Sequence, residues 1–185
     1  MLGLVLALGA AAVLYVIAQS AAKPGAGQGI ERYAQGSLRK LSAPQEVRRA
    51  PLMRFTDPAG REVRIAELPG EIVVVNLWAT WCAPCITEMP TLARLQQAYP
   101  GRVNVVPISI DAPKDMERAR LFMAKHPPLA FYHDPKRAVA LGVGAQGLPT
   151  TLIYDAKGEE LARLAGVAEW DSPEAQRLFT ALLAR

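Results

Sequence analysis

The chain has 185 residues, of which 51% are hydrophobic, 21 are basic, 17 are acidic and only two are cysteine. This length fits one domain and an appendage. Residues 23–54 carry seven Lys/Arg against two Glu, so the net charge of +4 comes from a short segment rather than from the body. A nucleic-acid-binding domain would carry its basic surface on the folded part. The composition therefore argues against a nucleic-acid partner, and two cysteines are too few for a disulfide-stapled miniprotein or for a structural zinc site.

An apolar run opens the chain. Residues 1–22 contain no charge, and as a helix they would span about 33 Å, enough to cross a bilayer core of about 30 Å. A cleaved signal peptide usually has a charged start and a shorter apolar stretch. We therefore predict an uncleaved transmembrane anchor over residues 1–22, with cleavage as the alternative. Basic residues follow the run, and the positive-inside rule alone would place the body of the chain in the cytoplasm.

Residues 23–50 are predicted to form a linker. Pro, Gly and Ala dominate residues 23–28, which is typical of a flexible tether. Apolar residues then recur at near-helical spacing over Ile30–Leu41, so we expect a short amphipathic helix in this part of the linker.

Residues 51–185 alternate between strand and helix patterns. The apolar, β-branched run Ile72–Trp78 predicts a strand buried on both faces of a sheet. The turn sequence at residues 57–60 predicts a β-hairpin centred on that turn. From Ile72 onward, the strand–helix–strand order implies parallel strands with right-handed crossovers. We therefore expect an α/β domain with a mixed sheet. Its elements are predicted as a hairpin of Leu52–Thr56 and Arg61–Ile65, helices over Pro84–Tyr99, Lys114–Lys125, Pro135–Leu141 and Pro173–Leu183, and strands over Val103–Ile110, Leu129–Tyr132, Thr150–Tyr154 and Glu159–Ala165.

Both cysteines lie in the C-x-x-C motif Cys82-Ala83-Pro84-Cys85, between the buried strand and the next helix. A helix N-terminus favours an anion, so the pKa of Cys82 is expected to fall below its free value of about 8.5, which makes it the attacking thiolate. Cys85 lies one helical turn further and can attack the resulting mixed disulfide, so this chemistry needs no bound cofactor. Ala83 and Pro84 form the active-site loop, where the missing N–H of Pro84 costs nothing and its ring restricts the chain.

A metal site and an inert structural disulfide are the two alternatives for the cysteines. A metal site is disfavoured because the only histidines, His126 and His133, lie much later in the chain and no second cysteine pair exists. An inert structural disulfide is disfavoured because closing so small a loop stabilises little. Thiol–disulfide exchange is therefore preferred, with no metal at the site.

Three stretches carry a family resemblance: Asn76-Leu77-Trp78-Ala79-Thr80-Trp81-Cys82-Ala83-Pro84-Cys85, Glu88-Met89-Pro90 and Gly147-Leu148-Pro149-Thr150-Thr151-Leu152. The chain resembles the thioredoxin superfamily and, within it, the membrane-anchored TlpA-like and ResA-like thiol–disulfide reductases. Residues 168–175 also look like the alphaproteobacterial TlpA branch. The resemblance implies a thioredoxin-like fold, a central mixed sheet flanked by helices, with an N-terminal β-hairpin and a central βα insertion within residues 103–132.

The resemblance also implies roles for individual residues. Pro149 should be the cis-proline that faces the dithiol, and the backbone at Leu148 should pair with an extended substrate segment. An ordinary proline at the start of a strand is the alternative for Pro149. Trp81 is expected to shield the dithiol and to contact substrate, and Pro90 matches the proline that kinks the active-site helix. Trp170 is expected to pack, with an exposed partner anchor as its alternative.

Asn76 and Glu88 mark a departure from thioredoxin itself, which resembles this chain but carries a buried acid at the Asn76 position. An amide cannot move protons. Glu88 lies three residues after Cys85 on the same helical face and matches the buried glutamate of the ResA-like group. We therefore expect Glu88 to accept the proton of Cys85, with a pKa raised by burial. The alternative is an ordinary solvated glutamate.

The resemblance implies a periplasmic protein-disulfide reductase, anchored once in the bacterial inner membrane by its N-terminal helix. Its electrons would come from a membrane thiol reductant of the CcdA/DsbD type. Its clients would be oxidase copper-assembly proteins or apocytochromes c with cysteine pairs. A disulfide oxidase or isomerase of the same fold is the alternative, because the Ala-Pro dipeptide does not reveal the sign of the redox difference. A non-enzymatic metal- or haem-binding module is a second alternative. A thiol peroxidase is disfavoured because Cys85 is unusually near to Cys82 for a resolving cysteine.

Overall fold

The computed structural model describes residues 29–185. The predicted anchor over residues 1–22 and the first part of the predicted tether lie outside the described residues. Among residues 29–185, no helix combines the length and the apolar character needed to span a bilayer.

Within residues 29–185, seven strands form one mixed sheet in the order β2-β1-β5-β4-β3-β6-β7. Strand β3 lies at its centre, where it pairs in parallel with β4 and antiparallel with β6. Strands β1 and β2 form the predicted N-terminal hairpin, and β6 and β7 form the predicted C-terminal one. The α/β class and the mixed sheet are thus confirmed. The strands are β1 Phe55–Thr56, β2 Glu62–Val63, β3 Ile72–Trp78, β4 Val103–Ser109, β5 Tyr132–His133, β6 Thr150–Asp155 and β7 Glu160–Ala165.

In the described part of the chain, four α-helices flank the sheet: α1 Ala83–Ala98, α2 Met116–Met123, α3 Ala138–Gly142 and α4 Pro173–Leu182. Helix α2 is shorter than predicted because Pro113–Asp115 form a separate 3-10 turn ahead of it. Helix α3 begins three residues later than predicted, since the Asp134 carboxylate accepts a hydrogen bond from the Val139 backbone N–H (2.8 Å). This hydrogen bond fixes the start of α3, whereas the Asp115 side chain makes no capping hydrogen bond at the start of α2.

The insertion strand β5 lies one to three residues later than the predicted strand over Leu129–Tyr132. It pairs with the end of β4, where Ser109 lies opposite His133. A buried histidine is accommodated there because its Nε2 lies 2.9 Å from the backbone oxygen of Asp111. A carbonyl only accepts, so Nε2 carries the proton in this bond.

The two faces of β3 supply two separate apolar clusters. Ile72 and Val74 point towards α1 and α4, and they share one cluster with Leu92 and Phe179. The alternate residues Val73, Val75 and Leu77 belong to the second cluster, with Phe55 and Val139 among their neighbours. All seven residues of β3 are buried, which confirms the predicted strand buried on both faces.

The amphipathic helix predicted over Ile30–Leu41 is wrong. Residues 30–33 and 36–38 form two short 3-10 helices that pack against α4. Gly36, the first residue of the second 3-10 helix, has a φ of 53°, a left-handed conformation that favours glycine. A continuous α-helix cannot pass through this residue in that conformation.

The described part of the predicted linker also packs against the domain. Ile30 and Leu38 are fully buried in the cluster under α4. Further on, Ser42 exchanges two backbone hydrogen bonds with Arg163, and the Arg48 carbonyl accepts one from the Glu160 N–H. This segment therefore covers the outer edge of β7, which would otherwise present unpaired backbone groups.

Because this segment packs against the domain, we predict that residues before position 51 contribute to its stability. Leu38→Ala should lower the free energy of unfolding by about 2–5 kcal/mol, as for other buried leucines. Leu52→Ala is the matched control, because Leu52 is 77% exposed and its loss should change stability by less than about 0.5 kcal/mol. Urea unfolding of a soluble form beginning near residue 29 measures both values. Equal stabilities of the two variants would contradict the packing of the segment.

Candidate redox site

The two cysteines lie where the central strand passes into α1. A turn over residues 79–82 connects β3 to α1, and a hydrogen bond from the Cys82 N–H to the Ala79 carbonyl (3.1 Å) closes this turn. Cys82 is the N-cap residue of α1, and its Sγ accepts a hydrogen bond from the Cys85 N–H (3.3 Å). The two residues form a disulfide with a Cα–Cα distance of 5.3 Å. The predicted position of the C-x-x-C pair at a helix start is confirmed.

The surroundings of the disulfide are asymmetric. Cys82 retains 6% exposure, whereas Cys85 has none. Trp81 beside it is 57% exposed, and Ala83 and Pro84 are exposed as well. An external thiol or disulfide can therefore reach the pair only from the Cys82 side.

Pro149 follows a cis peptide bond with Leu148, as the resemblance implies. Because Leu77 of β3 lies opposite Thr150 of β6, the register places Pro149 level with the end of β3, from which the cysteine turn departs. The Pro149 carbonyl accepts a hydrogen bond from the Gly166 N–H (2.9 Å). Leu148 is half-buried ahead of it, so the segment before Pro149 reaches the surface at this end of the sheet.

Glu88 lies inside the protein, not in solvent. Its side chain is 1% exposed. Oε1 accepts a hydrogen bond from Asn76 Nδ2 (2.7 Å), and Oε2 accepts one from the Ala168 backbone N–H (3.1 Å). Burial raises the pKa of Glu88 from 4.5 to about 7, although the hydrogen bonds from Asn76 and Ala168 act in the opposite direction. A carboxyl with this pKa can gain or lose a proton near neutral pH.

The hydrogen bonds of Glu88 involve groups that sequence reasoning did not identify. Asn76 Nδ2 also donates to Thr151 Oγ1 on β6 (3.0 Å). Thr91, one turn after Glu88, donates its hydroxyl to the Glu88 carbonyl (2.7 Å) and accepts from the Trp170 backbone N–H (3.1 Å). Thr151 is one of three polar residues in its strand, with Thr150 and Asp155, so the pattern did not single it out, and the bonds to the loop at residues 166–170 had no sequence signal.

Trp78 and Trp170 are both fully buried. The alternative that Trp170 is an exposed anchor for a partner is therefore wrong. Both histidines bond to backbone carbonyls, His126 within its own helical turn and His133 at Asp111. Within residues 29–185, no group of three or more His, Cys, Asp or Glu side chains could hold a metal ion.

Comparisons with known proteins agree with this geometry. The profile of the AhpC/TSA family matches residues 47–160. The thiol-disulfide oxidoreductase ResA of Bacillus anthracis is 30% identical over 135 residues, 71% of this chain and 76% of that protein. The thiol:disulfide interchange protein HelX of Rhodobacter capsulatus is 32% identical over 120 residues, 63% of this chain and 66% of that protein. The crystal structure of a DsbF homologue from Corynebacterium diphtheriae matches with a TM-score of 0.62 and 24% identity, covering 79% and 93% of the two chains.

A thioredoxin-like sheet that presents a C-x-x-C disulfide at the start of α1 defines a thiol–disulfide oxidoreductase. The chain belongs to the AhpC/TSA family, and its similarity to ResA and HelX relates it to the TlpA-like thiol–disulfide oxidoreductases.

The raised pKa of Glu88 predicts how stability depends on pH. The folded state holds the Glu88 proton more tightly than the unfolded state does, so this group stabilises the fold less as pH rises from about 4.5 to about 7. Relative to Glu88→Gln, the oxidised wild-type protein should lose about 2–3 kcal/mol of unfolding free energy between pH 5 and pH 8. Urea titrations of both proteins at the two pH values measure this. A difference that does not vary with pH would mean that the pKa is normal.

Proposed function

We propose that this oxidoreductase reduces disulfides in partner proteins outside the cytoplasm. The observation that carries the proposal is the asymmetry of the site: Cys82 can be reached from outside, while Cys85 and Glu88 lie buried behind it. This arrangement suits a two-step exchange with a separate attacking and resolving sulfur. The direction, reduction rather than oxidation, is supported by the likeness to TlpA-like reductases.

In the first step, the Cys82 thiolate of the reduced protein attacks one sulfur of the substrate disulfide. A Cys82–substrate disulfide forms, the substrate S–S bond breaks, and the second substrate sulfur leaves as a thiolate. The N-terminus of α1 stabilises the Cys82 thiolate before the attack, through its unpaired N–H groups and dipole. The Cys85 N–H that lies 3.3 Å from Cys82 Sγ is one such donor.

In the second step, Cys85 must lose its proton before it can attack Cys82 Sγ and release the substrate as a dithiol. Two electrons thus pass from the protein to the substrate, and the Cys82–Cys85 disulfide remains. Glu88 is positioned to take that proton, because it lies one helical turn from Cys85 on the buried side of α1. A base with a pKa of about 7 suits proton transfer at neutral pH.

The substrate would lie across the exposed end of the sheet. Trp81 offers an apolar ring next to Cys82, and the backbone ahead of Pro149 can pair with an extended peptide by strand addition. Ala83 and Pro84, predicted as a loop, are the exposed first two residues of α1 and lie between the two cysteines. The proposed reaction uses no metal or other cofactor, since the redox-active group is the disulfide itself.

We place the protein in the bacterial inner membrane, with residues 1–22 as a single anchor and the redox domain in the periplasm. The length of the apolar run supports the anchor. The family likeness outweighs the basic residues that follow the run. A membrane thiol reductant of the CcdA/DsbD type would return the disulfide to the dithiol state. Clients would be cysteine pairs of oxidase copper-assembly proteins or of apocytochromes c.

The exchange mechanism predicts a trapped intermediate. Cys85→Ser removes the resolving thiol, so the variant should accumulate mixed disulfides through Cys82, visible as higher-mass bands on non-reducing gels that dithiothreitol removes. Cys82→Ser is the matched control and should give none, because the remaining cysteine is buried. Absence of mixed disulfides from Cys85→Ser at natural expression would refute the mechanism.

Labelling of Cys82 in intact cells tests on which side of the membrane the redox domain lies. A membrane-impermeant maleimide should block Cys82 in intact cells of the Cys85→Ser strain after reduction with an impermeant phosphine. Labelling that requires lysis would place the domain in the cytoplasm. Mass spectrometry of the trapped species identifies the clients.

The proposed role of Glu88 predicts a change in the pH profile. In single-turnover reduction of insulin, the wild-type rate should rise with pH through about 7, where Glu88 becomes ionised. Glu88→Gln should lose this inflection and react about 100-fold more slowly at pH 7, the lower end of the usual contribution of a positioned base. Glu117→Gln, at a glutamate side chain that is 68% exposed, is the control and should match wild type. A Glu88→Gln profile that overlays the wild-type profile would exclude the proton role.

A further inference from the structure

A second buried carboxylate contacts the turn over residues 79–82 that leads to Cys82. Asp111 follows the end of β4 and is fully buried. Its carboxylate accepts the Thr80 backbone N–H at 3.0 and 3.2 Å and the Thr80 hydroxyl at 2.6 Å. It also accepts the Ser109 hydroxyl at 2.8 Å. Most of its contacts thus go to a residue that lies 31 positions earlier in the chain and only two before Cys82.

The backbone of Asp111 is itself fixed on both sides. Ile110, the residue before it, donates its N–H to the Trp78 carbonyl (2.9 Å), which extends the pairing of β4 with β3 to this point. His133 of the insertion strand donates from Nε2 to the Asp111 carbonyl oxygen (2.9 Å). The carboxylate therefore projects from a rigid position in the sheet, and the turn is attached to it.

Thr80 is the second residue of the turn that the Cys82-to-Ala79 hydrogen bond closes. Trp81 is the third residue of the turn and remains exposed. When the second residue is held through both its backbone and its side chain, the turn cannot rotate about its two ends. The contact with Asp111 thus fixes the directions in which Trp81 and Cys82 leave the sheet.

We propose that Asp111 is a positioning residue for thiol–disulfide exchange: through Thr80, it orients Cys82 and Trp81 towards the incoming disulfide. The inference rests on the proposed exchange at Cys82. Attack on a disulfide requires the nucleophile in line with the bond that breaks, and a misplacement of about 1 Å can cost roughly 100-fold in rate. A turn held at one point instead of two would sample such misplaced geometries.

Thr80→Val tests the proposal, because it removes the hydroxyl and keeps the branched shape and the backbone N–H. The second-order rate constant for reduction of insulin by the reduced protein should fall about tenfold. Thr80→Ser should restore at least half of the wild-type rate. Thr87→Val is the matched control, since its hydroxyl donates only to the Pro84 carbonyl in the same helix (2.8 Å), and its rate should stay within twofold of wild type.

Melting temperatures and circular dichroism, recorded alongside, separate positioning from stability. Thr80→Ala removes the same hydroxyl without adding the valine methyl group, so it should show the same loss of rate, which separates loss of the hydroxyl from a perturbation of the turn by valine. A folded Thr80→Val or Thr80→Ala variant that reduces insulin at the wild-type rate overturns the proposal, even if its melting temperature falls. Failure of the wild-type protein to reduce insulin or a small aromatic disulfide would instead count against the exchange function.

Discussion

The central strand β3 is the constraint on which the rest of the structure depends. It pairs with β4 and β6 along its length, and both of its faces are covered, so every one of its seven residues is buried. Such a strand admits a polar side chain only where partners are supplied. Asn76 is the polar residue of this strand: its Nδ2 donates to Glu88 and Thr151, while its buried Oδ1 has no hydrogen-bond partner among the described residues. The one polar position in the strand therefore fixes the carboxyl that lies behind the dithiol.

The buried carboxyl of Glu88 has structural consequences beyond its proton. Moving an ionised carboxylate out of water is costly unless hydrogen bonds replace the water. One of these bonds comes from Ala168, in the loop that follows β7, and the neighbouring Thr91 accepts from Trp170 in the same loop. The loop at residues 166–170 is thereby held against α1 by polar contacts as well as by the buried Trp170. Because these bonds favour ionised Glu88 while burial opposes it, the two effects together bring the pKa to about 7.

Local features of the sequence were enough to predict β3, the C-x-x-C turn and α1, because hydrophobic pattern and helix-start signals act over a few residues. Burial of Glu88 followed from the resemblance, but its partners did not, since Thr151 and Ala168 lie 63 and 80 residues further along the chain. The prediction over Ile30–Leu41 failed for the same reason. Its apolar spacing fits a helix, but the conformation there is set by Gly36 and by contacts with α4, more than 130 residues away. Asp111 carried only the signal of a polar residue after an apolar strand, and its partner Thr80 is distant in sequence as well.

Two buried carboxylates lie on different elements next to the dithiol. Glu88 lies on α1 on the buried side of Cys85, and Asp111 lies at the end of β4 and binds the turn ahead of Cys82. The segment before Pro149 is held through the bond between its carbonyl and Gly166. The turn ahead of Cys82 and the segment at Pro149 are therefore both held by hydrogen bonds, and a preorganised surface loses little entropy when it binds a partner. In the proposed exchange reaction, selection among substrates would then rest on side chains exposed beside Cys82, such as Trp81 at 57%, rather than on rearrangement of the turn that carries them.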